Sequence, residues 1–132
     1  MKLVAISIVS WLVGLAAYAI ALEVFWHESL QGGDLTAVLF WSAVASIVCI
    51  SVVYAPIMFG LKNWLAARPA WWPFPLAGVA LGVFPVMLVG AMFGGDLHSL
   101  YSPEAMLFCC MFVAFGLVFG VGFFLAYGRG AV

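Results

Sequence analysis

The sequence predicts an all-α integral membrane protein, a four-helix bundle made of two antiparallel transmembrane hairpins. Three observations predict it. Hydrophobic residues make up 68% of the 132-residue chain and charged residues 7%, against about 25% charged in a soluble domain. Four long stretches contain no Asp, Glu, Lys, Arg or His. Counted as crossings, those stretches leave every basic side chain on one side and every acidic one on the other.

A soluble chain this apolar lacks the polar groups to cover its own surface, so lipid is the solvent that fits it. The length is that of a single domain, residues 1–132. Four basic residues are too few for a phosphate-binding footprint, which excludes nucleic acid as a partner. The partners to expect are the bilayer itself and other membrane subunits, or further copies of this chain.

A helix rises about 1.5 Å per residue, so a hydrocarbon core of about 30 Å requires about 20 apolar residues. The charge-free stretches, the last of them beginning after Glu104, set the spans at approximately residues 3–22, 35–61, 72–94 and 103–127. A charge at mid-bilayer costs roughly 3 kcal/mol on the insertion scale, so four runs without one are a selected pattern. Membrane strands would need segments of about 10 residues with alternating polarity, which these uniformly apolar runs are not.

Span one carries small residues at Ser7, Ser10, Gly14, Ala17 and Ala21, alternating three and four apart as in a left-handed seam. Lys2 followed by an apolar run and Ala19-Ile20-Ala21 resembles a signal peptide. The run is about 20 residues, long for a signal core and right for a span, so a retained helix is expected. In span two Asp34 can cap the helix start, and Ser42, Ala45 and Cys49 repeat the seam with Ser46 beside them. Span three enters through Trp71 and Trp72, and Trp26 and Tyr101 flank the opposite interface, as an aromatic belt would. Span three also holds Gly78 and Gly82 four apart, then Gly90. Span four starts at Ser102-Pro103-Glu104, a cap, a first-turn proline and an acid at the positive helix end. Gly128 can close it.

Helices in lipid associate through close packing, so small residues mark contacts. Gly14, Gly78, Gly82, Gly116 and Gly120 are therefore the expected helix-packing positions. Short loops make sequence neighbours antiparallel. The large Phe112, Phe115, Phe119 and Phe123 are expected on the outside, against lipid or a partner subunit. Pro56 and Pro85 each remove a backbone donor inside a span and are the expected kinks.

Orientation follows the positive charges. Lys2, Lys62, Arg68 and Arg129 fall together and should be cytoplasmic, with both termini. Glu23, His27, Glu28, Asp34, Asp96, His98 and Glu104 fall outside. Compact loops and the lack of a targeting signal point to a bacterial or archaeal plasma membrane, the cell inner membrane. Gly32-Gly33-Asp34-Leu35 recurs as Gly94-Gly95-Asp96-Leu97. The flanks do not match, and these are ordinary turn residues, so coincidence explains the repeat better than duplication.

The spans offer little chemistry. Without ionisable groups they argue against an ion-coupled pump and against acid–base catalysis at mid-membrane. Ser42, Ser46 and Ser51 have no general base nearby in sequence. Cys49, Cys109 and Cys110 show no C-x-x-C spacing and read as small packing residues. No enzyme activity and no cofactor are expected. The one polar concentration is the outer face, where Glu23, His27, Asp96 and His98 compose a candidate divalent-metal site if the two loops meet. A solvated acidic surface explains the same residues more simply. Haem between His27 and His98 is disfavoured, since haem ligands in bundles project inward from helices. The leading function is thus a non-enzymatic accessory or assembly subunit of a larger membrane complex. The alternative is a homo-oligomeric channel or transporter for a neutral or small solute, lined by Thr36, Ser42 and Ser46. An outer-face metal or haem redox subunit comes third.

Overall fold

The computed structural model describes residues 1–29, 32–67, 70–92 and 101–128, and all the regular structure among them is helical. Helix α1 runs Lys2–Trp26 and outlasts the apolar run by a turn. It stops at His27, whose left-handed backbone (φ 54°) turns its N–H back to donate to the Glu23 carbonyl at 3.0 Å.

Helix α2, Gly32–Cys49, widens into a π turn at Ile50–Tyr54 and continues as α3, Ala55–Trp64. The wide turn sits immediately before Pro56. A proline ring excludes the carbonyl four residues back and supplies no donor, and a widened turn relieves both demands. Helix α4, Pro73–Leu81, and helix α5, Val83–Met92, are separated at Gly82. That interruption lies one turn before Pro85, where the ring opposes the Leu81 carbonyl. The Gly82 N–H is shared between the carbonyls of Gly78 and Val79, both at 3.1 Å. Helix α6, Pro103–Phe123, ends in a second π turn, Phe124–Gly128.

Three helical stretches are long and apolar enough to cross a membrane: Lys2–Trp26, Gly32–Trp64 and Pro103–Gly128. A fourth apolar stretch, Pro73–Leu88, is shorter.

The start of α6 is capped from its own sequence. The Ala105 N–H donates to Ser102 Oγ at 3.2 Å, with Pro103 in the first turn and Glu104 at the positive helix end. Ser102→Ala is expected to lose about 1 kcal/mol of stability. The loss should appear as an earlier midpoint in detergent unfolding and faster amide exchange confined to the first turn of α6.

Helix α6 forms the centre, and residue pairs set the direction of its neighbours. Gly122 faces Ile6, Gly14 faces Met111 and Phe115, and Tyr18 meets Phe108, so α1 lies antiparallel to α6. Gly120 faces Phe74, Gly116 faces Gly78, and Phe112 faces Gly82, so α4 is antiparallel as well. The α2–α3 rod runs the same way as α6: Ala45 clusters with Phe112, Tyr54 with Phe115 and Phe119, and Phe59 with Phe123.

Phe112, Phe115, Phe119 and Phe123 have no exposed surface. This corrects the expectation that they face lipid or a partner. They occupy the same face of α6 as Gly116 and Gly120, the face shared by α1, α4 and the α2–α3 rod. The large rings fill the space between helices that the glycines let approach. Exposed apolar side chains come from every helix, among them Ile8, Leu12 and Ile20 of α1, Phe40 and Ile47 of α2, Leu76 of α4, Phe84 of α5 and Leu117 of α6.

Two of the buried serine hydroxyls are answered by backbone. Ser10 Oγ donates to the Ile6 carbonyl at 2.7 Å, and Ser42 Oγ donates to that of Leu39 at 3.2 Å. The Trp11 indole donates to Ser42 Oγ at 3.1 Å, tying α1 to α2. Ser46 Oγ and the Tyr54 hydroxyl are buried and have no partner among the described residues.

Candidate functional site: an acidic cleft and an apolar groove

The end of α1 and the starts of α2 and α6 lie together. Tyr18, Leu22 and Trp26 stand four apart and therefore share a face of α1. Asp34 and Glu104 each occupy the first turn of their helix, where a carboxylate is favoured by the unpaired N–H groups. Between these elements opens a cleft of about 290 Å³, whose wall includes Tyr18, Trp26, Glu28, Ser29, Asp34 and Glu104. Three carboxylates and two aromatic side chains thus border one space. Tyr18 is 93% buried, from its 7% exposure, and makes a ring contact with Phe108, centroids 5.4 Å apart.

A second cleft of about 280 Å³ adjoins the first. Trp26 and Leu107 line both. Its remaining wall is apolar or sulfur-bearing, from Ala21, Phe25, Met106, Cys109 and Cys110. The basic groups that are described lie elsewhere. Lys62 sits 5.9 Å from the Tyr127 ring centroid, near the opposite end of α6, and among the described residues no basic side chain lines the acidic cleft.

The residues singled out as a metal site are placed as follows. Glu23 and His27 are exposed at the end of α1, joined by the backbone hydrogen bond that closes the helix. Asp96 and His98 lie outside the described residues. Among the described residues no three His, Cys, Asp or Glu side chains stand close enough together to hold a metal ion.

Left-handed backbone at a residue with a Cβ carries strain. At His27 it directs the chain into Glu28 and Ser29, which line the cleft. His27→Gly is expected to raise stability by about 1 kcal/mol, read as a higher midpoint in detergent unfolding. A lower midpoint would show that the imidazole ring stabilises the turn.

Tyr18, Trp26, Glu28, Asp34 and Glu104 were not expected to converge. The sequence carries a signal for this, since a tyrosine and tryptophan on one face of α1 end beside two helices that each begin with an acid. What it lacks is the distance between those helix starts.

The chain has no match among protein-family models, curated proteins or solved structures. Fold and composition alone therefore define the class, a small helical membrane protein.

Proposed function

We propose that the chain is a non-enzymatic subunit of a larger membrane complex. The reading takes it to cross a bacterial or archaeal inner membrane four times as a bundle, with both termini cytoplasmic. One observation carries it: apart from Glu104 in the first turn of the fourth, the spans hold no Asp, Glu, Lys, Arg or His, and their bonded hydroxyls serve backbone or a neighbouring helix. Ion coupling and acid–base catalysis at membrane depth characteristically use such a group. What α1 and α2 offer outward is apolar side chain of varied shape, suited to lipid and to a packed neighbour alike.

Affinity purification from native membranes in mild detergent tests the reading. Stoichiometric recovery of one defined membrane partner is the expected result. Elution of the chain as a lone monomer from those membranes would overturn it. Reporter tags at residues 30, 65 and 99 test the crossings and are expected to report outside, inside, outside. Residues 65 and 99 on the same side would remove the four-span arrangement and leave the subunit reading to the purification.

A further inference from the structure

We infer that the acidic cleft and the apolar groove beside it form one binding site for a primary amine carrying an apolar tail. Three features select this chemistry. First, Glu28, Asp34 and Glu104 border a space with no basic residue among the described residues of its wall, which attracts a cation. Their spacing does not gather three metal-ligating groups, so a small metal ion cannot engage them together. A larger organic cation can.

Second, Tyr18 is 93% buried, from its 7% exposure, and lines the cleft. Among the described residues its hydroxyl has no hydrogen-bond partner, and the Asp34 and Glu104 side chains border the same cleft. The oxygen itself is open to the cleft, where a ligand can take up its hydrogen bond. An ammonium N–H can donate to the Tyr18 oxygen and to a carboxylate together. A quaternary ammonium has no proton to give. Trp26 adds an aromatic face beside the charge.

Third, Trp26 and Leu107 line both clefts, so the charged space lies directly beside one without charge. The first holds roughly ten water volumes at about 30 Å³ each, enough for an ammonium head and its first carbons. The second accepts a chain against Phe25, Met106 and Cys109. A free amine and a lipid-borne one present the same head and tail.

The test uses the full chain in nanodiscs and tritiated decylamine, with empty nanodiscs of the same lipid as the partition control. Saturable binding above the control is expected. Ethylamine, a head without a tail, and decanol, a tail without a charge, should each compete at least about 10-fold less well. Asp34→Asn with Glu104→Gln, both at exposed positions, should weaken binding at least about 10-fold. Tyr18→Phe removes one hydrogen bond and should weaken it about 3- to 10-fold. Decylamine binding no greater than that of empty nanodiscs would overturn the inference, as would unchanged affinity in both sets of variants. Competition by zinc stronger than by decylamine itself would assign the carboxylates to a metal instead. A lipid-borne source is distinguished by adding phosphatidylethanolamine to the nanodiscs, which should then displace the tritiated amine; no displacement assigns the site to a free amine.

Discussion

Gly116→Ala is expected to destabilise the folded chain by about 3 kcal/mol, toward the upper end of what one extra methyl does in a packed interior. A Cβ built at Gly116 meets the Gly78 carbonyl, and one built at Gly78 meets the Gly116 carbonyl. Both obstacles are backbone, so no rotamer change relieves them, and α4 must move away from α6. Separation would also loosen the neighbouring approaches, where a Cβ at Gly82 would lie 2.8 Å from the Phe112 carbonyl and one at Gly120 would lie 2.7 Å from the Pro75 Cα. Gly14→Ala is expected to lose less, about 1 kcal/mol, because its built Cβ sits 3.0 Å from the Met111 carbonyl and 3.3 Å from side-chain carbon. Gly60→Ala supplies the opposite sign. Nothing lies within 4 Å of its built Cβ, and alanine is the better helix former by about 0.5–1 kcal/mol. Reversible unfolding in mixed micelles of SDS and mild detergent, followed by tryptophan fluorescence, ranks the three. Equal effects at Gly116 and Gly60 would rule out close approach of α4 to α6.

The helices themselves were legible because a bilayer imposes length and the absence of charge, and both are written directly in the residues. The seam was legible for a related reason. Ser10, Gly14 and Ala21 in α1 are buried with Tyr18, while Ser7 and Ala17 of the same seam are half-buried; in α2 Ser42, Ala45, Ser46 and Cys49 are all buried. The phenylalanines were not legible. A helix that is apolar on every side has no polar face to mark its outside, so hydropathy cannot orient it. Only residue size could have done so: Phe112, Phe115, Phe119 and Phe123 share a face with Gly116 and Gly120, where large beside small is the signature of a packed interface. The π turn at Ile50–Tyr54 was hidden as well. Pro56 announces a disturbance, but whether a helix bends or widens there depends on what packs against the preceding turn, and that is a tertiary fact. The cleft falls in the same class. Asp34 and Glu104 each read as the ordinary acid of a first turn, and only the adjacency of α2 and α6 turns two local features into one charged space.

Phe119→Ala is expected to lose about 2–3 kcal/mol. The ring stacks on Phe115 at 5.9 Å and Phe123 at 6.4 Å, and Tyr54 meets it edge-on at 5.3 Å. In a water-soluble core such a truncation loses about 3–5 kcal/mol, part of it transfer from water and part the cavity left behind. In a bilayer the separated helices are already in oil, so most of the transfer part vanishes and the lost packing dominates. Phe119→Leu keeps most of the volume and should lose less than about 1.5 kcal/mol. Phe40→Ala, at a side chain 59% exposed, should change stability by less than about 0.5 kcal/mol. The same micelle titration reads all three, and equal losses for Phe40→Ala and Phe119→Ala would place the phenylalanine stripe outside the core. Tyr54 then separates shape from polarity at the same spot. Its ring is wholly buried against Phe115 and Phe119, while its hydroxyl is buried without a partner among the described residues. Tyr54→Phe keeps the ring and removes the unpaired group, so stability should rise by up to about 1 kcal/mol. A fall of that size would mean that the hydroxyl finds a partner in the assembled membrane, and that the polar atom is held there for that contact.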